Sequence, residues 1–212
     1  MEARGPDTDP LTARRLFVAV PLDAGATATI VELVERIRAE RALDAPDERD
    51  VRWVRMDGLH LTLRFLGPTP EASVPTVAEA VRRVAATQDP FEVRIDGGGS
   101  FPNPRRPRTL WLAVTHGTAE LGSLARAVDR ELVAAGWPSD DRPFRAHLTV
   151  ARSDGVPAGA DVARRLTAAA EGIGVSSAAD RLVLFESITG GGPARYEPLE
   201  STPLLHRPSP AR

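Results

Sequence analysis

Cysteine and lysine are both absent from this 212-residue chain, because all 27 of its basic residues are arginine. Without cysteine there is no disulfide, no thiolate nucleophile and no cysteine-based zinc site. Without lysine there is no Schiff-base lysine, no phosphate-binding P-loop lysine and no nucleophilic lysine of an ATP-dependent ligase. These classes of site are therefore excluded.

The chain also lacks a strong net charge and a long apolar run. The formal net charge is -2 and the pI is about 6.1, so any contact with nucleic acid must come from a local basic patch. No apolar run approaches the roughly 20 residues of a membrane span. The first residues lack the basic start and apolar stretch of a signal peptide. We therefore expect a cytoplasmic protein without a membrane partner.

Hydrophobic patterning divides the chain into short elements. Residues 15–22 form a nearly continuous apolar run, which predicts a central strand. Further strands are predicted at 51–56, 59–66, 91–95, 109–114, 147–152 and 181–188, with an edge strand at 196–199, and helices are predicted around 30–37, 74–84, 121–132 and 159–172. We expect Gly67-Pro68 to end the strand at 59–66, and residues 97–108 to form a loop without regular structure.

Two of the four histidines begin the same short pattern, His60-Leu61-Thr62-Leu63 and His147-Leu148-Thr149-Val150. Because strand side chains alternate between two faces, each copy presents one imidazole and one hydroxyl on one face and apolar residues on the other. Side by side, the two copies would supply a general acid, a general base and two hydrogen-bond donors to one site.

The order of elements around these motifs repeats as well. In each half an apolar strand is followed by a helix, a loop and a strand that begins with His-Leu-Thr. The repeat predicts a pseudo-symmetric fold of two lobes whose histidine strands face a shared cleft. We expect residues 1–13 to be a disordered N-terminal extension, 14–202 to form a single bilobal domain and 203–212 to be a C-terminal tail.

The two motifs and their flanks resemble the two-histidine phosphoesterase superfamily, and within it the RNA 2′,3′-cyclic phosphodiesterases, also called 2′-5′ RNA ligase-like proteins. The two motifs lie 87 residues apart. The resemblance extends over roughly 14–200 and includes the segments beginning at Arg15, Val51, Phe101, Leu110 and Phe144.

The resemblance implies an α/β (α+β) fold in which antiparallel sheets line a central cleft and helices pack outside. It implies hydrolysis of RNA 2′,3′-cyclic phosphate ends to 2′-phosphates without a metal or other cofactor, together with reversible, ATP-independent 2′-5′ RNA ligation. His60 would be the general acid and His147 the general base, and Thr62 and Thr149 would hold phosphate oxygens. The partner would be RNA with such an end or a related nucleotide, and the protein a monomer. The symmetric motifs alone do not assign the acid and the base.

Two arginines close to the motifs are further candidates. Arg152 is out of phase with His147 in a straight strand, so a bend at Ala151 is needed to aim it at a phosphate; the resemblance supports that role. Arg64 is in phase with His60. It either faces the cleft and contacts RNA or is a solvated charge at the rim.

The segment 101–108 is the densest basic patch of the chain. Arg105 and Arg106 either grip RNA phosphates or belong to a solvated connector. Phe101 either stacks on a base or plugs the space under the loop. Trp53 and Trp111 are expected in the core, and His116 and His206 are expected to be structural or surface residues.

Other readings of the sequence remain open. A phosphoesterase of the same fold could act on a cyclic nucleotide, ADP-ribose cyclic phosphate or 2′-5′-linked oligonucleotides. A non-catalytic module could use the cleft and the arginine loop to hold RNA ends. No His-Glu-x-x-His motif supports a metal site, and Gly97 to Gly99 lack the spacing of a dinucleotide-binding fingerprint.

Overall fold

A computed structural model describes residues 13–44, 51–154, 157–190 and 192–205. The predicted N-terminal extension, apart from Ala13, lies outside these ranges, as do residues 206–212 of the predicted tail, including His206. The first residues predicted as tail belong to the fold, since Pro203 ends a strand and Leu204 is buried. The strands are β1 (Ala13–Pro21), β2 (Val51–Trp53), β3 (His60–Pro70), β4 (Phe91–Phe101), β5 (Thr109–His116), β6 (His147–Ser153), β7 (Val175–Ala179), β8 (Arg181–Ile188) and β9 (Arg195–Pro203). The helices are α1 (Ala24–Asp44), α2 (Val74–Ala85), α3 (Thr118–Ala134) and α4 (Pro157–Ala170).

All nine strands belong to one sheet in the order β7-β4-β5-β6-β3-β1-β8-β9, with β2 paired to β6. Every pairing is antiparallel. The strands of the two predicted lobes meet at the centre, where β3 and β6 pair only through Leu61 and Leu148. The mixed fold with an antiparallel sheet is thus confirmed, and the two histidine strands are neighbours.

The main core lies between the helices and one face of this sheet. Ile30 of α1, Val81 of α2 and Leu124 of α3 pack there with Val18 of β1 and Leu112 of β5. The predicted helical stripes are therefore confirmed as buried faces. No helix in the described part of the chain is long and apolar enough to cross a membrane.

A second, smaller cluster lies on the opposite face of the sheet. It consists of Phe17, Ala19, Val183 and Phe185, with Tyr196 packed against it. Because β1 contributes alternate residues to both clusters, it is buried on both faces, as its continuous apolar run predicts. This aromatic cluster supports one side of the candidate site.

Two expectations about the strands are corrected. Gly67-Pro68 does not end the first histidine strand, which continues to Pro70 against Ala13 of β1. Because β6 does not pair with this end of β3, one side of the strand is a free edge there, and prolines are tolerated on edge strands. Residues 97–101 are not loop but the end of β4, paired with β5.

Strand β7, Val175-Ser-Ser-Ala-Ala179, has no counterpart among the predicted elements. Serine and alanine have weak strand propensity. The segment is ordered as a strand by its pairing with β4.

Candidate active site

The two His-Leu-Thr segments begin adjacent strands at the centre of the sheet. The Leu61–Leu148 pair fixes their antiparallel register, which puts His60 across from Thr149 and Thr62 across from His147. The two leucines are buried in the main core, and the histidines and threonines are half-buried on the other face. The alternation predicted for both motifs is confirmed.

A β-bulge follows each motif at an equivalent position. In β3, Thr62 pairs with Ala19 and Arg64 with Val18, so Leu63 is an extra residue. In β6, Thr149 pairs with Trp111 and Ala151 with Leu110, so Val150 is the extra residue. Each bulge reverses the phase of the residues that follow it.

The two bulges decide which side chains reach the cleft. Beyond the second bulge Ala151 is buried and Arg152 is exposed, which supplies the bend that its predicted role requires. Beyond the first bulge Arg64 is buried and Phe65 is 50% exposed. Arg64 is therefore not a solvated rim charge, and it does not line this pocket, since Phe65 takes the cleft position.

The motif residues and Arg152 share one pocket of about 390 Å³. Its wall includes both histidines, both threonines, Arg152, Phe65, Phe101, Thr109 and Tyr196. Phe65 and Tyr196 were not among the sequence candidates. The phase of Phe65 depends on a bulge, and Tyr196 lies 136 positions from His60 in the chain, so no local pattern indicates either.

His60 lies within an aromatic enclosure. Its ring centroid is 4.8 Å from that of Phe17, 5.6 Å from that of Phe185 and 4.9 Å from that of Tyr196. Burial lowers the pKa of His60 to about 4, even though the hydrogen bond to Gly58 raises it, and the positive charges of Arg152 and His147 lower it further. His60 is therefore neutral near pH 7 in the free protein.

His147 has a different, more open environment. Its ring meets Phe101 edge-on at 5.3 Å and lies 6.4 Å from the Trp111 ring. Burial and the Arg152 charge lower the pKa of His147, while its hydrogen bond to Arg145 raises it. Trp111, expected in the core, is only half-buried and lies beside the site, whereas Trp53 is buried as predicted.

Backbone carbonyls orient both imidazoles in the same way. His60 Nδ1 lies 2.6 Å from the Gly58 oxygen, and His147 Nδ1 lies 2.7 Å from the Arg145 oxygen. Because a carbonyl oxygen only accepts, each Nδ1 must carry the proton. In the neutral rings Nε2 is then the basic nitrogen, available for proton transfer.

Arg152 is held against the neighbouring strand by a hydrogen bond. Its Nη1 donates to Thr109 Oγ1 over 3.1 Å, and the guanidinium faces the same pocket as the two histidines. It supplies a fixed positive charge with the donor geometry that suits a phosphate.

Arg64 instead connects the sheet to α3 and to the segment 137–146. Its Nε donates to Asp129 over 2.7 Å, and Nη2 donates to the Pro138 carbonyl. Burial would raise the pKa of Asp129, but the Asp140 N–H, the Arg64 guanidinium and the Ser139 hydroxyl together lower it. This cluster anchors the segment that leads into His147.

Arg105 and Arg106 are exposed and do not line the pocket. Their backbone N–H groups each donate to Asn103 Oδ1 over 3.1 Å, which stabilises the turn. Their contact with RNA stays a prediction. His116 is exposed on β5, away from the pocket. Among the described residues, no three His, Cys, Asp or Glu side chains come together as a metal site.

The chain is similar to a family model described as the 2′-5′ RNA ligase superfamily, matched over residues 26–190. It is 33% identical to an RNA 2′,3′-cyclic phosphodiesterase of Methanothermobacter thermautotrophicus over 66% of this chain and 72% of that protein. It is 31% identical to one of Geobacillus stearothermophilus over 91% of this chain, although the match spans only 58% of that protein.

Among solved structures, Escherichia coli LigT complexed with 3′-AMP superposes with a TM-score of 0.70 at 27% identity, covering 92% of this chain and 99% of that one. The match to the family model spans most of the chain and both histidine motifs. The chain therefore belongs to the 2′-5′ RNA ligase superfamily, among its RNA 2′,3′-cyclic phosphodiesterases.

Proposed function

We propose that this protein hydrolyses the 2′,3′-cyclic phosphate end of RNA to a 2′-phosphate, with His60 as general acid and His147 as general base. The observation that carries the proposal is the convergence of both His-Leu-Thr motifs and Arg152 on one pocket. The activity named for the relatives in Methanothermobacter and Geobacillus supports the choice of substrate.

The reaction needs one proton removed and one proton supplied. His147 Nε2 takes a proton from water, whose oxygen forms a bond to phosphorus. The bond from phosphorus to the 3′ oxygen breaks, and His60 Nε2 protonates that leaving oxygen. The phosphate stays on the 2′ oxygen, and a 3′-hydroxyl is released.

Three side chains in the pocket stabilise the charge on the phosphate. Thr62 and Thr149 offer hydroxyl donors, and Arg152 offers a guanidinium. Donors fixed on strands need little rearrangement as charge develops on the non-bridging oxygens. With these three donors, the charge on the phosphate oxygens can be stabilised without a metal ion.

The protonation of His60 is coupled to substrate binding. With a pKa of about 4 in the free protein, the ring must gain a proton before it can act as an acid. The anionic phosphate favours that proton, because an opposite charge nearby stabilises the imidazolium.

The same two histidines can also catalyse ligation. A 5′-hydroxyl of a second RNA would replace water, with His147 accepting its proton and His60 protonating the 3′ oxygen. The product is a 2′-5′ phosphodiester, and no ATP is consumed because the cyclic phosphate supplies the bond energy.

The test is the hydrolysis of adenosine 2′,3′-cyclic phosphate in EDTA by the wild type, His60→Ala and His147→Ala. We expect the wild type to release only the 2′-phosphate isomer. Loss of general acid or base catalysis typically costs about 10²- to 10⁴-fold in rate, so each variant should lose activity on that scale.

His116→Ala is the matched control, since His116 is exposed outside the pocket; its rate should equal that of the wild type. Release of the 3′-phosphate isomer would contradict the proposed geometry of attack. A folded wild type that binds RNA ends without turnover would favour the non-catalytic alternative.

A further inference from the structure

A second groove adjoins the catalytic pocket. It has a volume of about 1380 Å³ and runs between α3 and the segment 137–146. It shares Thr62, Phe65, Phe101 and His147 with the catalytic pocket, so the two form one continuous path. We infer that this α3 groove binds the RNA nucleotides that precede the cyclic phosphate end, an inference that rests on the proposed function.

The two volumes suit different parts of one RNA chain. At about 390 Å³, the catalytic pocket is at the low end of sites that take a single small ligand. The groove, at about 1380 Å³, exceeds that range. One terminal nucleotide fits the pocket, and the groove has room for several more.

The groove is basic although the whole chain carries a net charge of -2. Its walls contain five arginines and two aspartates. Asp129 and Asp140 are engaged by Arg64 and Arg142, at 2.7 Å and 2.8 Å respectively. The other three arginines of the groove, here called its free arginines, are Arg126, Arg130 and Arg145.

The free arginines are exposed and have no carboxylate partner among the residues that the structure describes. Arg126 and Arg130 are four residues apart, so they lie on the same face of α3. By contrast, Arg82 and Arg83 of α2 each form ion pairs with glutamates. A polyanion in the groove would supply the partners that the free arginines lack.

Aromatic rings line the junction between the pocket and the groove. Phe65 is 50% exposed, and the Arg145 guanidinium lies 5.9 Å from the centroid of the Phe101 ring. Exposed rings and arginines along a basic groove are the features that bind single-stranded nucleic acid by stacking and charge. The groove therefore fits a single strand better than a duplex, whose bases are already stacked.

The polarity of the bound strand follows from the chemistry of its end. A cyclic phosphate occupies both the 2′ and the 3′ oxygen of the last ribose. The chain can continue only from the 5′ oxygen, so the nucleotides in the groove lie on the 5′ side of the reacting end.

The test compares kcat/KM for adenosine 2′,3′-cyclic phosphate with kcat/KM for a four-nucleotide RNA ending in the same group. The variant is Arg126→Ala/Arg130→Ala. We expect the ratio of RNA to mononucleotide kcat/KM to fall about tenfold and the salt dependence for RNA to weaken, by about one unit of log–log slope per lost phosphate contact.

Arg36→Ala/Arg38→Ala is the control, because these α1 arginines are exposed and line neither the pocket nor the groove. An unchanged ratio in the α3 variant, or an equal fall in the control, would overturn the inference.

Binding of a fluorescent four-nucleotide RNA that already ends in a 2′-phosphate gives a second readout without turnover. Weaker binding by the α3 variant alone supports the groove, and equal binding by all three proteins overturns it. Absence of turnover of either substrate by the wild type would instead contradict the proposed function, while the binding result would still decide the groove.

Discussion

His60 and His147 occupy equivalent positions in two repeated motifs, yet their surroundings differ. Three aromatic rings surround His60, whereas His147 meets Phe101 and, farther away, Trp111. Both pKa values are lowered, that of His60 to about 4. Because His60 is neutral near pH 7 in the free protein, the acid role that we propose for it depends on the bound phosphate.

The pH dependence of the reaction should show this coupling. The kcat/KM profile reports the free enzyme, so we expect a bell whose two limbs both lie below pH 6.5, the ordinary pKa of histidine. The alkaline limb of kcat should lie at higher pH, because bound phosphate raises the pKa of the acid. Initial rates from pH 3.5 to 9 give the pH profiles of both kcat/KM and kcat. A kcat/KM that does not change between pH 6 and 8 would contradict the expectation.

Arg64 is a structural residue at the edge of the site. Its guanidinium is buried and paired with Asp129 at 2.7 Å. Without the guanidinium, Asp129 keeps its hydrogen bonds from Ser139 and the Asp140 N–H but loses its ion-pair partner. Breaking a buried ion pair in this way costs about 3 kcal/mol. We therefore expect Arg64→Met to lower the free energy of unfolding by that amount, as measured by urea denaturation.

Arg82→Met provides the comparison for Arg64→Met, since Arg82 and Glu79 form an exposed pair with side chains 44% and 51% accessible. Exposed pairs contribute roughly 0 to 1 kcal/mol. Equal destabilisation by the two substitutions would show that the Arg64 cluster has no special structural role.

At the scale of the elements, the paired bulges in β3 and β6 shape the site. Each inserts one residue three positions after a histidine. One bulge thereby places Phe65 at the cleft, and the other places Arg152 there. The equivalent position in the two halves thus carries an exposed aromatic ring in one and a guanidinium in the other.

Because of the bulge in β6, we expect substitutions of two neighbouring arginines, Arg152 and Arg52, to have different effects on the rate. Arg152 faces the pocket, whereas Arg52, its partner across the β2–β6 pairing, forms an ion pair with Asp154 outside it. We expect Arg152→Met to lower kcat/KM for the cyclic phosphate by about 10²-fold, the usual cost of removing a fixed donor to a developing charge.

Arg52→Met should leave kcat/KM within about twofold of the wild type, because Arg52 does not line the pocket and its ion pair with Asp154 is exposed. If the two substitutions reduced the rate equally, Arg152 would have no specific role at the phosphate.

The periodicity of hydrophobic residues in the sequence is sufficient to predict most of the helices and strands. The stripes of α2 and α3 and the alternation in both motifs arise from residues a few positions apart, and the structure confirms them. The bulges could not be predicted in the same way, because an extra residue is defined only against the partner strand. For the same reason the phase that relates Arg64 to His60 in a straight strand does not hold, and the sequence supports only a conditional role for Arg152.

At the scale of the whole molecule, the repeat joins two halves into one sheet. The repeated order of strand, helix and histidine strand predicts two lobes and a shared cleft, and β3 and β6 meet there through Leu61 and Leu148. Residues distant in the sequence complete the site, and the enclosure of His60 by Phe185 and Tyr196 depends on β8 and β9. Such long-range contacts depend on the order of the strands, which local patterns do not contain.

The two halves should act as one catalytic unit. If His60 and His147 serve the same step, removing the second histidine after the first should cost little more, since groups that act together are strongly non-additive. If the two histidines contributed independently, the loss of rate in the double variant would instead equal the product of the two single losses.

The most direct measurement is therefore kcat/KM for an RNA 2′,3′-cyclic phosphate end with His60→Ala, His147→Ala and the double variant. Circular dichroism would establish that all three are folded. We expect the double variant to be about as slow as the slower single variant. A double variant whose loss equals the product of the two single losses, or a single variant with near wild-type activity, would contradict a shared two-histidine site.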